Sequence, residues 1–295
     1  MLKKILVPLD GSDLAERALT YATALATPTG AQLVLLRAAL SHTFIGVDSR
    51  ERQTGAIQEA ELYLDDVATW VRAGGFGCDA VVVHGHAAES IVNQARVSRA
   101  DLIVMTTHGR TGPGRWIFGS VTESVVANSP VPVLVQRAWG PQFGGPLWSD
   151  TPELLAAVDG SAFAEAALEV AASLAEALHG KLVLVRVEDD PARLGAAMEY
   201  LPLAQARLAA NHPGLPIVTD IRVGDAAYGI EEALAQREAE FVVMATHGRS
   251  GAKRAIIGSI AGKIVNHGKV PVVLIHPARV EEEPAVPTSR VEMTV

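Results

Sequence analysis

The strongest constraint on this chain is that it repeats itself. Residues 101–112, DLIVMTTHGRTG, recur 139 positions later as EFVVMATHGRSG at 240–251. Gly119-Ser120 returns at the same offset as Gly258-Ser259, and SPVPVLV at 129–135 returns as GKVPVVL at 268–274. Near the start of each copy, KILVPLDGS at 4–12 matches ELLAAVDGS at 153–161, now 149 positions apart. The first copy therefore holds ten extra residues, which fall within 39–84 and are expected in its polar stretch 41–55. Units this long are copies of a whole domain, not turns of a solenoid. A 295-residue chain has room for two. The expected division is a first domain at 1–138, a linker at 139–151, a second domain at 152–279 and an acidic disordered tail at 280–295. The linker is rich in Gly and Pro, and its tryptophans, Trp139 and Trp148, are expected to pack on a surface.

Each copy alternates strand and helix. Short apolar runs predict strands at 3–9, 32–38, 79–84, 101–106 and 131–136, and again at 153–158, 181–187, 217–222, 240–245 and 270–275. Between them, periodic segments predict helices at 53–73, 87–98 and 120–128, after a first one that stops before Gly30. The second copy has them at 161–178, 191–210, 226–237 and 259–266, with Pro202 expected to kink or interrupt the second. Ser12 or Asp13 is the expected first cap, and Asp13 with Glu16 and Ser120 with Glu123 have capping-box spacing. Strands that are apolar throughout are covered on both faces. The fold class is α/β: two tandem doubly wound domains, each with a five-stranded parallel sheet and helices on both faces. Ligands on such sheets lie beyond the carboxyl ends of the strands, at the switch point.

Charge and cysteine content narrow the function. Lys plus Arg is 25 against 33 Asp plus Glu, a net charge of −8, which argues against nucleic acid and anionic membranes as partners. One cysteine, Cys78, excludes an internal disulfide and a cysteine-bound zinc site. The N-terminal apolar run is short for a signal peptide, and no 18-residue apolar stretch occurs, so the expected location is cytoplasmic. His84 and His86 read as ordinary strand-end histidines, since the second copy has Val223 and Asp225 in their places. No protein-only metal site and no catalytic residue is expected.

The chemistry concentrates in the loop after the fourth strand, TTHGRTGPGRWIFGS at 106–120 and ATHGRSGAKRAIIGS at 245–259. Glycines let backbone N–H groups approach a phosphate, and Gly119-Ser120 opens a helix whose first N–H groups favour an anion. Ser120 and Ser259 can add a hydrogen bond to phosphate; the plain alternative is that Ser120 only caps its helix. Arg115 and Arg254 match each other and can neutralise phosphate, or simply be solvated. Asp10 and Asp159 end the first strand of each copy in a D-G-S turn; their carboxylates can accept from ribose hydroxyls or adenine N–H groups, or only form an Asx turn. The loop has neither the Walker Gly-Lys-Ser/Thr ending nor the dinucleotide glycine fingerprint.

In these residues the chain resembles the universal stress protein family in its tandem two-domain form: V-P-L-D-G-S and A-V-D-G-S, THGR-T/S-G, the late Gly-Ser and the closing V-P-V strand. The resemblance covers nearly all of 1–279. It implies ATP, or AMP or ADP, held with little or no catalysis by the pattern G-x2-G-x9-G-S/T. Here Gly109 with Gly119-Ser120, and Gly248 with Gly258-Ser259, match its later positions. Thr106 and Ala245 replace its first glycine. The resemblance also implies adenosine contacts from Asp10 and Asp159, adenine-side backbone contacts near Ala38 and Val187, and phosphate-side positions at Val121 and Ile260. Mg²⁺ would arrive only with the nucleotide. The closing strands are expected to pair within the chain, and the resemblance implies a homodimer as the higher assembly. Three readings follow: an adenine-nucleotide-binding stress-response module, a nucleotide-free interaction protein of the same fold, or a very slow ATPase. Because alanine adds one methyl where threonine adds a branched side chain, and Lys253 and Arg254 make the second loop more basic, the second site is expected to bind ATP more tightly.

Overall fold

The computed structural model describes residues 2–39, 49–107, 119–137, 148–247 and 257–276. The linker ahead of Trp148 and the expected tail at 280–295 lie outside them. In the first half the elements run β1 (Lys4–Pro8), α1 (Asp13–Thr29), β2 (Gln32–Ala39), α2 (Ser49–Ala73), β3 (Cys78–His84), α3 (Ala87–Ser98), β4 (Leu102–Thr106), α4 (Ser120–Asn128) and β5 (Val133–Gln136). The second half repeats them as β6 (Glu153–Ala157), α5 (Ala162–Ala177), β7 (Lys181–Glu188), α6 (Leu194–Asn211), β8 (Ile217–Val223), α7 (Ala226–Arg237), β9 (Phe241–Ala245), α8 (Ser259–His267) and β10 (Val272–Ile275). A 3₁₀ turn at Pro191–Arg193 precedes α6.

All strands among the described residues belong to one sheet in the order β3-β2-β1-β4-β5-β10-β9-β6-β7-β8. Pairing within each half is parallel. At the seam β10 runs antiparallel to β5, with Val272 opposite Val135 and Leu274 opposite Val133. The two halves therefore point their strands in opposite directions, and the carboxyl ends of β1 and β4 lie at the other end of the sheet from those of β6 and β9.

Strand periodicity builds two cores. Ile5, Val7, Leu33 and Leu35 face one side with α1 and α2 residues such as Leu25 and Leu64, while Leu6, Val34, Leu36 and Ile103 face the other with Ile91 and Val125. The second half does the same through Leu154 and Leu182 on one side and Leu155 and Val183 on the other. Trp148 packs across the halves: its ring lies 6.3 Å from Tyr21 of α1 and 4.8 Å from Phe241 of β9.

The helix ends settle one open choice and correct three expectations. Ser12, not Asp13, is the N-cap of α1, its hydroxyl accepting from the Ala15 amide at 3.2 Å. Glu16 does not close a capping box; it accepts from the Tyr63 hydroxyl at 2.9 Å and ties α1 to α2. Pro202 does not end its helix: α6 runs from Leu194 to Asn211 through it. The helix that starts at 191 in the sequence reading opens instead as the 3₁₀ turn, capped by Asp190.

Candidate functional site

Each half is a doubly wound sheet of order 3-2-1-4-5, so the switch point falls between β1 and β4, and between β6 and β9. A cleft opens at each. The first, of about 200 Å³, is bordered by Asp10, Ala38, Thr106, Gly119, Ser120 and Val121. The second, of about 360 Å³, is bordered by Asp159, Val187, Ala245, Gly258, Ser259 and Ile260. Every candidate residue inside the described chain is thus gathered at one of the two clefts. Gly109, Arg115, Gly248 and Arg254 lie outside the described residues.

The helix ends differ from the capping reading. The N-cap of α4 is Gly119 and that of α8 is Gly258, and neither helix receives a side-chain cap from that residue. Ser120 and Ser259 are the first helical residues, both exposed. The capping alternative for Ser120 with Glu123 is therefore corrected: glycine occupies the cap because the backbone presses on the strand end. Gly119 N–H donates to the Thr107 carbonyl at 2.8 Å, and Gly258 N–H to the Thr246 carbonyl at 2.7 Å. A β-carbon on Gly258 would stand 2.9 Å from that same carbonyl oxygen. In the first half Thr122 adds a bolt, its hydroxyl donating to the Thr106 carbonyl at 3.0 Å. The result is a helix N-terminus, with the positive end of its dipole, opening at the cleft without a side-chain cap.

Asp10 and Asp159 both adopt the Asx turn. Asp10 Oδ1 accepts from the Ser12 amide at 3.0 Å and its hydroxyl at 2.6 Å; Asp159 Oδ1 accepts from the Ser161 amide at 3.0 Å. Both are half-buried at the rim. An ionised carboxylate has about four acceptor positions, so the turn and a ligand hydroxyl are compatible partners.

The clefts are not alike. Both have an apolar wall, Leu36, Ala38, Ala87 and Ile91 in the first and Val185, Val187, Ala226 and Ile230 in the second, but the second also carries Asp189 and Arg193, an ion pair 3.4 Å apart, at its mouth. Sequence reasoning missed these two charges. The signal was present in DDPAR at 189–193, where Asp190 caps a Pro-led turn directly after the strand that carries Val187. Asp225 caps α7 beside the second cleft, where the Tyr228 amide holds its carboxyl below the usual range, and it lies 3.5 Å from Lys263. The counterpart α3 has His86 as N-cap, with no side-chain cap bond. No group of three or more His, Cys, Asp or Glu arranged to hold a metal occurs among the described residues. No helix among them is long and apolar enough to cross a membrane.

The profile of the universal stress protein family matches residues 1–137 and 152–276. The chain is 36% identical over 143 residues to a universal stress protein of Thermus aquaticus, an alignment spanning 46% of this chain and 100% of that protein. It is 32% identical over 141 residues to one from Methanocaldococcus jannaschii, spanning 46% of this chain and 83% of the relative. Its fold superposes on a universal stress protein structure from Archaeoglobus fulgidus with a TM-score of 0.73 at 21% identity, covering 93% of this chain and 98% of that one. With two matched segments and two copies of one cleft, the chain belongs to the universal stress protein family, in tandem form.

Proposed function

We propose that this chain is a regulatory, stress-response module that binds an adenine nucleotide, ATP foremost, and binds it more tightly in the second cleft. The observation that carries the reading is the N-terminus of α8, uncapped by Gly258 and opening on a cleft that is apolar at its far side. A phosphate group satisfies such a terminus, where N–H groups and dipole act together. Adjacent strands are about 4.8 Å apart, so the end of β7 lies about 10 Å from that of β9, across β6. A ligand with phosphate at Ser259 and a flat apolar group against Val187 spans that distance, passing Asp159 on the way. A nucleotide has this sequence of parts: phosphates, ribose, base.

In this reading the Ser259 hydroxyl and the first α8 amides hold phosphate, with Arg254 adding charge. Asp159 accepts from the ribose, Val187 offers backbone to adenine, and Ile260 lies on the phosphate side. Asp10, Ala38, Gly109, Arg115, Gly119, Ser120 and Val121 play the same parts in the first half, as Gly248 does in the second loop. Mg²⁺ enters with the nucleotide, held by phosphates and water.

A second reading applies to the first half alone. Thr106 is buried at the place of the family's first glycine, and its cleft is the smaller one. The first domain, proposed as 1–138, then serves the second, 152–279, chiefly as a docked partner through β5 and β10, and whole chains assemble further as a homodimer. Isothermal titration of the full chain with ATP tests the function. Saturable heat with a stoichiometry between one and two supports it; no heat, with the protein folded, supports a nucleotide-free role. Light scattering reads the assembly.

A further inference from the structure

Beneath the D-G-S turn of the second half lies a buried arginine that the nucleotide reading leaves unused. In β7, Val185 and Val187 border the second cleft, so strand alternation turns Arg186 to the opposite face. Its side chain is 8% exposed; Nε donates to Glu188 Oε1 at 2.7 Å, and Nη2 lies 2.6 Å from the same oxygen. Its guanidinium lies 5.0 Å over the Tyr200 ring, and the Tyr200 hydroxyl donates to Glu165 of α5. Pinned on these sides, the fork presents Nη1 to the turn: a β-carbon on Gly160 would stand 2.9 Å from it. Gly160 has φ +78°, so the turn already demands glycine, and the guanidinium fills the space that glycine leaves.

The first half assembles the same cluster from a different carboxylate. Arg37, 149 positions earlier, is equally buried and lies 4.9 Å over the Tyr63 ring, whose hydroxyl donates to Glu16 at 2.9 Å. Ala39 occupies the place of Glu188, and the ion partner is Glu59 of α2, at 2.7 Å. The halves thus differ in how the cation is compensated and agree in the guanidinium, the tyrosine and the helix carboxylate. A buried ion pair is a poor source of stability compared with apolar packing. Glu59 is exposed, so only the Arg186–Glu188 pair is buried on both sides, and its guanidinium is the one that meets the turn at Gly160.

We infer that Arg186 is a positioning residue that braces the Asp-Gly-Ser turn of the second half so that Asp159 presents its carboxylate to the cleft. What that carboxylate grips rests on the nucleotide reading; the bracing does not. Arg186→Met alone takes the cation away from the buried Glu188 carboxylate, so Arg186→Met/Glu188→Met is made beside it. The Ser161 amide, bonded to Asp159 Oδ1, reports the turn directly by hydrogen exchange. The expected result is exchange at Ser161 about tenfold faster in the double variant, with the Leu155 amide of the sheet unchanged. The preference of the second cleft for ATP over 2′,3′-dideoxyATP falls toward one in the same variant. Unchanged Ser161 exchange in a folded double variant overturns the inference. If the unaltered protein binds no ATP, the nucleotide reading fails, and Ser161 exchange still decides the bracing.

Discussion

Gly258 is packed so closely on Thr246 that a β-carbon on it would stand 2.9 Å from the carbonyl oxygen that accepts its own N–H at 2.7 Å. The contact is to backbone, which cannot rotate away. Gly258→Ala must therefore push the start of α8 off the strand end. Overpacking of this kind costs about 1–3 kcal/mol of stability. The same shift moves the phosphate-facing amides, and ATP affinity should fall at least about tenfold, or ~1.4 kcal/mol. Calorimetric titration and a thermal melt read the two effects.

Thr106 and Ala245 suggest a gain of function. Both are buried strand-end residues at the rim of their clefts. Thr106→Gly removes a branched side chain from the smaller cleft and should strengthen ATP binding there by about tenfold, relieving crowding worth ~1–3 kcal/mol. The glycine should lower stability by about 0.5–1 kcal/mol. Ala245→Gly should change affinity less. A Thr106→Gly variant that binds no better removes the steric explanation for unequal sites.

Trp148 joins the halves through Tyr21 and Phe241. Trp148→Ala should cost about 3 kcal/mol, the lower end for a large aromatic deletion because the ring is only partly buried. Hydrogen exchange should quicken in both α1 and β9. Acceleration in one half alone would contradict the bridging role.

His212 closes α6 onto α5, with Nδ1 2.9 Å from Glu176 and Nε2 3.2 Å from Glu169. The hydrogen bond to Glu176 is the main cause raising its pKa above 6.5, with burial opposing. A raised folded-state pKa means the contribution is complete below the unfolded value of about 6.5 and is lost as pH rises through the folded value. Stability should therefore be greater at pH 6 than at pH 8 by roughly 0.5–1 kcal/mol, the size of partly exposed ion pairs. His212→Asn should flatten that slope in melts across the range, and a slope surviving the substitution would assign it elsewhere.

The repeat made the architecture legible, because two matching sets of continuous apolar strands leave little choice but two covered parallel sheets. Asp159, Gly258 and Ser259 were legible for the same reason: chemistry placed at the carboxyl ends of strands meets at the switch point. The starts of α3, α4, α7 and α8 were legible too, but the capping residues were not. Ser12 against Asp13, and Gly119 against Ser120, differ by one residue, and only the backbone hydrogen bonds to Thr107 and Thr246 decide that glycine takes the cap. Asp189 and Arg193 escaped notice because their importance comes from a wall built by α7 and β9, far away in sequence. The exchange of Glu188 for Glu59 as arginine partner was equally hidden, since strand and helix supply the carboxylate from unrelated positions.

The central claim is that the second cleft is the stronger nucleotide site. Equilibrium dialysis of the full chain against labelled ATP, repeated with Gly258→Ala/Ser259→Ala and with Gly119→Ala/Ser120→Ala, tests it most directly. The account predicts that the second-half variant loses most of the bound ATP and the first-half variant loses less. A larger loss from the first-half variant, or no ATP bound by the unaltered chain, would contradict it.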